Sequence, residues 1–203
     1  MVWNRWLARP SVKTVFLGLC SVPLWCLVWS ATQGGLGANP AEALIRSLGD
    51  WTLRFLCLTL AITPLRRSGG WTGLAAWRRG LGLWAFVYAL CHATAYTLFD
   101  MGLDMAAVVA DVAQRPFILV GLLAFTLMLP LALTSFNAAI RWMGGRRWQV
   151  VHRLVYLVAV LALLHFYWMR SGKNNYTEVH IYSAVLGGLG LWRLYLKRAT
   201  NTP

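Results

Sequence analysis

The chain has 203 residues, of which 59% are hydrophobic and 12% are charged. An ordinary soluble domain has roughly 25% charged residues, and a disordered chain combines low hydrophobicity with high charge, so both classes are excluded. On a soluble protein the net charge of +13 would suggest nucleic-acid binding. On so hydrophobic a chain it is typical of positively charged cytoplasmic loops, so we expect an all-α membrane protein that contacts lipid and no nucleic acid.

Six apolar segments follow one another along the chain, and a membrane-spanning helix needs about 20 residues. They cover roughly residues 14–31, 46–65, 80–99, 117–135, 149–169 and 179–196. The second is the weakest, because its strongly apolar part is only Trp51–Leu65 and carries Arg54, so it needs to begin upstream, near Ala43. No clean A-x-A-like cleavage site follows the first segment, which predicts that it is retained. We expect external loops over residues 32–50 and 100–116.

Basic and acidic residues divide between the two sides of these segments. If the N-terminus is cytoplasmic and each segment crosses once, fourteen of the nineteen Lys and Arg residues lie on the cytoplasmic side. The basic residues left on the external side are Arg46, Arg54, Arg115, Arg170 and Lys173, and all six acids lie there as well. Because Lys and Arg bias sets orientation, the pattern predicts six crossings with both termini in the cytoplasm. The short loops and the lack of G-x-G-x-x-G or Walker motifs predict a single membrane domain over residues 1–203.

Histidines are the informative ionisable residues inside these segments, since such groups are costly in a membrane and often mark function. His92 lies about 18 Å from the expected cytoplasmic start of the third segment. In the fifth segment His152 lies near the cytoplasmic start and His165 lies about 20 Å further along, so His92 and His165 are at a similar depth. Two imidazoles at one depth on different helices can bind one haem iron axially. The alternative is that each histidine is a hydrogen-bonded helix contact.

The remaining candidate ligands carry less weight. His180 lies near the external surface, and we expect an interfacial role for it rather than a ligand role. The four cysteines, none of them in a C-x-x-C pair, are expected to be small buried hydrophobes: Cys20, Cys26, Cys57 and Cys91. No H-E-x-x-H or Cys/His zinc spacing and no G-x-S-x-G motif occurs, so a hydrolase has little support.

The histidine pattern resembles that of the ferric-reductase-like transmembrane family. That family commonly carries His-x13-His on one span and His-x12-His on another, and here His152 and His165 have the second spacing while His92 stands on the third span. The stretches 60–66, 78–82 and 145–156 further resemble the MsrQ (YedZ) family within it, over nearly the whole chain. The resemblance implies a six-helix bundle in the bacterial inner membrane with haem b bound between helices.

The resemblance also implies site residues, with one departure. The inner histidine expected on the third span, fourteen residues before His92, is replaced by Arg78. His92 and His165 are therefore the implied axial ligands of one haem, and His152 is a possible ligand of an inner haem or other cofactor. Guanidinium stays protonated and cannot readily ligate iron, but it can pair with a propionate or a flavin phosphate. The arginines placed for such contacts are Arg78, Arg79, Arg147 and Arg153.

The function implied by the resemblance is electron transfer from quinol, through haem, to a periplasmic molybdopterin enzyme that reduces methionine sulfoxide in oxidised proteins. FMN is also associated with the family. Two alternatives stay open: a transmembrane ferric or cupric reductase of the same fold, and a non-redox membrane protein with structural histidines. Asp100, Asp104 and Asp111 in the external loop are candidates for charge-steered contact with the partner, or else they simply keep the loop in water.

Overall fold

The computed structural model describes residues 2–171 and 175–199, and all regular structure in these ranges is helical. The helices are α1 (Val2–Leu7), α2 (Pro10–Leu19), α3 (Val22–Thr32), α4 (Pro40–Ser68), α5 (Arg78–Ala95), α6 (Met105–Gln114), α7 (Pro116–Leu133), α8 (Asn137–Met143), α9 (Gly145–His152), α10 (Leu154–Ser171) and α11 (Thr177–Ala199). A 3-10 turn, Thr72–Ala76, precedes α5, and a π-helical turn, Tyr96–Asp100, extends it.

Four stretches are long and apolar enough to cross a membrane, namely Pro10–Thr32, Arg78–Asp100, Pro116–Leu133 and Gly145–Ser171. The chain is thus an all-helical membrane protein with at least four candidate spans. Large apolar side chains such as Leu122 and Val160 remain exposed on these helices, as expected for surfaces in contact with lipid.

The core of the bundle consists of two helix pairs. The most extensive contacts join α4 to α5 and α7 to α10, and α5 also packs on α7. Their facing side chains form the buried centre, where Leu56, Leu81, Ala85 and Val158 are each at most 3% exposed. Helix α3 packs against α4, and α11 packs against both α4 and α10, so these two helices flank the core.

The second apolar segment forms part of a helix much longer than its apolar stretch. Helix α4 begins at Pro40, so the expected external loop over residues 32–50 is wrong for most of its length. The Asn39 side chain accepts a hydrogen bond from the Glu42 backbone N–H at 3.2 Å, and proline occupies the first helical position. Both features are standard helix-start chemistry, and here they fix the helix start well before the apolar residues begin.

The first apolar segment is broken into α2 and α3 next to Pro23, which has no N–H and lies in the first turn of α3, and the side chain of Tyr88 bridges the break. This tyrosine is fully buried on α5, and its hydroxyl donates to the Cys20 carbonyl at 3.0 Å and accepts from the Leu24 N–H at 3.0 Å. In a continuous helix those two backbone groups would bond each other directly. The inserted hydroxyl therefore satisfies both groups and marks the break, a recognised cause of helix kinks.

A proline inside α4 creates a second special contact. Pro64 has no N–H to donate to the Leu60 carbonyl, four residues earlier. Arg193 of α11 donates to that carbonyl and also to the Tyr156 hydroxyl of α10. One guanidinium thus ties α4, α10 and α11 together.

The expected external loop over residues 100–116 contains a helix, α6, which the apolar pattern did not predict. Asp104 caps its first turn by accepting from two backbone N–H groups at 2.8 and 3.2 Å. Asp111 faces inward, where it accepts from the Tyr96 hydroxyl at 2.7 Å and pairs with Arg115 at 2.9 Å. Its side chain is only 11% exposed. The one charged residue of α6 therefore fastens the helix to α5.

Candidate functional site

A cavity of about 510 Å³, here called the outer cavity, lies between α4, α5, α7 and α10, at the end of the bundle that the charge pattern predicts to be external. Its deep end is lined by Leu56, Met128 and Val158, and its outer end by polar residues that include Arg46 and Arg115. This volume lies within the range of about 300–1,000 Å³ that is typical of ligand and cofactor pockets. His92 and His165 both line it.

The His92 ring is held by helix α4. Its Nδ1 lies 2.8 Å from the Ile45 carbonyl oxygen. A carbonyl can only accept, so Nδ1 carries the proton and, in the neutral ring, Nε2 carries a free lone pair. One helical turn after Ile45, Gly49 leaves room for the ring, because a Cβ at that position would lie 3.2 Å from His92 Cε1.

The His165 ring is held in the same way by helix α7. Its Nδ1 lies 2.7 Å from the Phe117 carbonyl oxygen, so its Nε2 is likewise the free nitrogen. Four residues later, Gly121 lies so close that a Cβ there would be 2.8 Å from His165 Nδ1. Each histidine is therefore oriented by a backbone carbonyl and accommodated by a glycine four residues further along the same helix.

The two histidine rings face each other across the cavity, with centroids 6.2 Å apart and planes at 78°. Two imidazoles that bind one metal ion from opposite sides have ring centres about 6 Å apart, because each nitrogen–metal bond is about 2 Å long. The free Nε2 atoms, the separation and the apolar pocket together fit a haem held between two histidines. The equal depth predicted from the sequence is observed, while the ligand role stays a prediction.

A second cavity of about 300 Å³, here called the inner cavity, adjoins the first towards the end of the bundle that the charge pattern predicts to be cytoplasmic. The two share Leu56, Met128 and Val158, which form the wall between them. The inner cavity is lined by His152 and by three arginines, Arg66, Arg78 and Arg79. No carboxylate is among its lining residues in the described part of the chain, so this cavity is strongly cationic.

His152 is held differently from the other two histidines. Its Nε2 lies 3.0 Å from Thr134 Oγ1, and that hydroxyl donates its only proton to the Pro130 carbonyl at 2.6 Å. The hydroxyl therefore accepts from His152, which places the proton on Nε2. Trp148 stacks on the ring with centroids 3.9 Å apart. In this arrangement His152 does not present a free Nε2 to the inner cavity.

The other predicted site residues fall into two groups. Arg78 and Arg79 line the inner cavity, as a phosphate or propionate contact requires, and Arg79 also donates to Asn137 at 2.8 Å. Arg147 and Arg153 are exposed and do not line it. His180 is exposed near the start of α11.

Two further predictions concern residues outside the histidine sites. The external Lys173 lies outside the described residues. All four cysteines are free, and Cys20 and Cys57 are buried as expected, whereas Cys91 is partly buried and Cys26 is exposed because its face of α3 is uncovered.

Sequence reasoning missed several residues that shape the two sites. Arg66 lines the inner cavity. In the outer cavity, the backbone carbonyls of Ile45 and Phe117 orient the rings of His92 and His165. A backbone carbonyl can accept a hydrogen bond whatever the residue type, so the sequence gives no sign of these acceptors. The glycines opposite the rings were a visible signal, but only the packing of α4 on α5 and of α7 on α10 shows which side chains they face.

Comparison with known proteins places the chain in a family. Residues 48–163 match the family model described as the ferric reductase like transmembrane component. The "Protein-methionine-sulfoxide reductase heme-binding subunit MsrQ" of Polaromonas naphthalenivorans is 53% identical over 192 residues, which cover 95% of this chain and 88% of the relative. The protein of the same name from Ralstonia nicotianae is 51% identical over 185 residues, covering 90% of this chain and 85% of the relative. The chain belongs to the MsrQ family.

A more distant MsrQ relative extends the match along almost the whole chain. The Brucella ovis protein of that name is 42% identical over 197 residues, covering 95% of this chain and 82% of its own length. No solved structure matches the chain. The family-model match runs from α4 into α10 and contains His92 and His152, and it ends two residues before His165. MsrQ membership confirms the resemblance inferred from the arginine-flanked helix starts and the histidine positions.

Proposed function

We propose that this chain is the haem-binding membrane subunit that supplies electrons to a methionine sulfoxide reductase, with sulfoxide reduction itself carried out by the partner. The names of the MsrQ relatives support the assignment. The observation that carries it is the facing pair of histidines, with ring centroids 6.2 Å apart in a cavity of about 510 Å³. A bound haem would supply one-electron transfer, and the chain's own residues set where it sits.

In this proposal His92 and His165 are the axial ligands of one b-type haem. The Ile45 and Phe117 carbonyls fix the tautomer and direction of each ring, so that both Nε2 lone pairs are available before any iron arrives. Such outer contacts orient ligands and raise their basicity. The apolar wall of Leu56, Met128 and Val158 closes the deep end against water.

The inner cavity is proposed as a second cofactor site, for a second haem or for FMN. Arg78 and Arg79 line it and suit a propionate or phosphate, and Arg66 adds a third cation. His152 would ligate iron through Nε2 only after giving up its proton to solvent or base and its contact with Thr134. Arg147 and Arg153 remain candidates for such contacts, although both are exposed and neither lines the cavity.

We further propose that residues 1–203 form one domain with six crossings and both termini in the cytoplasm of a bacterial inner membrane. Helices α4 and α11 would supply the two additional spans. Their 29 and 23 residues correspond to about 43 and 34 Å, against a hydrocarbon core of about 30 Å. The cations of the inner cavity then face the cytoplasm, and the histidine pair lies towards the periplasm.

The proposed direction of electron flow follows from this topology. Quinol in the membrane is the proposed donor. A periplasmic molybdopterin reductase is the proposed acceptor, since the proposed topology directs the cavity of His92 and His165 towards the periplasm.

A reduced-minus-oxidised absorption spectrum with haem quantified per chain tests the proposal. We expect His92→Ala and His165→Ala each to lose most of the bound haem, because each would leave the iron with a single axial ligand. His180→Ala is the matched control, since that histidine is exposed and lies outside both cavities. His152→Ala examines the inner site, where loss of a second haem or of bound flavin would identify its occupant.

Two results would contradict the proposal. Wild-type protein without a Soret band after haem-replete expression would exclude haem binding. Full haem content in either His92→Ala or His165→Ala would remove the axial assignment. An unchanged spectrum and electron-transfer rate in His152→Ala would reduce that histidine to a structural residue.

A further inference from the structure

The outer cavity contains two cations among its described lining residues, Arg46 and Arg115. Each follows an acid by four residues and pairs with it. Arg46 Nη2 lies 2.5 Å from Glu42 Oε1, and Arg115 Nε lies 2.9 Å from Asp111 Oδ1. These pairs hold one edge of each guanidinium and leave its other donors available, since the group carries five N–H bonds.

The two arginines occupy corresponding places in the two halves of the site. Arg46 is next to Ile45, whose carbonyl holds His92, and Arg115 lies two residues before Phe117, whose carbonyl holds His165. Each half therefore combines a carbonyl that orients a histidine, a glycine that accommodates the ring, and an arginine in the cavity wall. A ligand with two acidic groups on one edge would meet one guanidinium in each half.

The polarity of the cavity determines which way such a ligand faces. The deep end is apolar, whereas the charged and hydroxyl-bearing residues come from the outer ends of α4, α5 and α7. Burying a carboxylate against the apolar wall would be costly without a partner. The acidic edge of an otherwise apolar, flat cofactor is therefore directed to the outer end, where both arginines lie.

The carboxylates at the outer end do not oppose this arrangement. Three carboxylates line the cavity, those of Glu42, Asp50 and Asp100. Glu42 is paired with Arg46, and Arg115, which pairs with Asp111 outside the lining, also lies within electrostatic reach of Asp100. Asp50 lies within electrostatic reach of the acid Glu178 and of three arginines, one of them Arg46. A guanidinium can bind two carboxylates through different edges, so these contacts leave room for a further acid at each arginine.

We propose that Arg46 and Arg115 each bind one propionate of the haem held by His92 and His165. The inference rests on the proposed haem site and adds to it the two residues that anchor the acidic edge of the haem. Anchoring both propionates would set the rotation of the haem about the His92–His165 axis and turn its acidic edge towards the external surface.

The test combines changes in the protein with a change in the ligand. Full-length protein produced without haem is titrated in detergent with protohaem or with its dimethyl ester, which lacks both propionate charges. We expect Arg46→Gln and Arg115→Gln each to weaken protohaem binding by about tenfold, equivalent to about 1.4 kcal/mol. The same substitutions should change binding of the diester less than threefold.

The matched control is Arg54→Gln, which removes one positive charge from the same helix as Arg46 but lies outside the cavity lining. Arg54 instead contacts the Tyr182 hydroxyl and lies over the Trp51 ring. We expect it to leave the preference for protohaem over the diester unchanged. The Arg46→Lys and Arg115→Lys variants serve if a glutamine variant does not fold. Lysine keeps the positive charge but cannot form two parallel hydrogen bonds to a carboxylate, so we expect a smaller loss of affinity, again for protohaem only.

Equal losses for protohaem and diester in the arginine variants would overturn the propionate contacts, as would an Arg54→Gln effect of the same size. These outcomes differ from failure of the haem site itself. If wild type binds neither ligand, or if His92→Ala does not alter binding, the proposed function fails. If wild type binds both ligands equally and still depends on His92, only the arginine assignment fails.

Discussion

Gly121 offers a quantitative test of how the histidine pair is held. A Cβ at this position would lie 2.8 Å from His165 Nδ1 and 2.9 Å from His165 Cε1. Contacts this short do not occur between a methyl carbon and a ring, so Gly121→Ala must displace the imidazole by roughly half an ångström or more. The same ring nitrogen is bonded to the Phe117 carbonyl, so the displacement also stretches that hydrogen bond.

A graded series follows from the distances at other glycines. Gly49→Ala places its Cβ 3.2 Å from His92 Cε1, so a shift of a few tenths of an ångström suffices and the effect should be smaller. Gly187→Ala is the control, because nothing lies within 4 Å of its Cβ on the exposed face of α11. That change should be neutral or stabilise the helix by up to about 1 kcal/mol.

The assay is haem content per chain together with the electron paramagnetic resonance signal of the oxidised protein. Haem retention should fall in the order Gly187→Ala, Gly49→Ala, Gly121→Ala, and haem that remains in Gly121→Ala should show a shifted low-spin signal, because its axial ring is tilted. Thermal melting in detergent separates this local effect from unfolding. Wild-type haem content and signal in Gly121→Ala would refute the close packing of this helix pair, and equal losses in all three variants would refute the distance argument.

Two predictions concern the contacts that hold the flanking helices. Tyr88→Phe should lower stability by about 1–3 kcal/mol, because it removes the hydroxyl that satisfies two buried backbone groups at the α2–α3 break. Melting in detergent measures the loss, and an unchanged melting temperature would mean that the broken helix simply closes its own hydrogen bond. Arg193→Met should loosen α11, because the Leu60 carbonyl freed by the helix-internal proline loses its donor. Faster protease cleavage within the last turns of α11, where Arg193 lies, is the expected result, and unchanged cleavage would mean that Arg193 does not hold this helix in place.

Apolar periodicity predicted the helices with largely apolar surfaces. It failed where polar contacts determine where a helix begins or breaks. The segments around 80–99, 117–135 and 149–169 correspond to α5, α7 and α9–α10. Helix α4 extends far beyond its apolar stretch, and its start at Pro40 lies close to the upstream start near Ala43 that the short apolar stretch required. The break between α2 and α3 has a local signal in Pro23, but the hydroxyl of Tyr88 that bridges it comes from α5, 64 residues away from Leu24.

For the site, helical rise was sufficient to place His92 and His165 together, because depth along parallel helices depends only on residue spacing. It could not show which nitrogen of each ring is free, since that follows from carbonyls on neighbouring helices. The sequence supported His152 only as a possible ligand of an inner site and could not show its hydrogen bonding. The Thr134 contact shows that its proton arrangement differs.

The three aspartates expected in the external loop, Asp100, Asp104 and Asp111, show that a charge pattern does not predict what each acidic side chain does in the fold. Of the three, Asp104 is exposed and caps α6, Asp100 is exposed but also lines the outer cavity, and Asp111 is withdrawn to bind Tyr96. Neutralising all three would therefore release α6, which covers the outer cavity through Val108 and Val112, as well as alter surface charge. Asparagine at position 104 would keep the helix cap and remove the charge, because Asn caps helices as well as Asp. A change in partner contact can be attributed to surface charge only when Asp111 stays in place, because its carboxylate holds α6 through Tyr96 and Arg115.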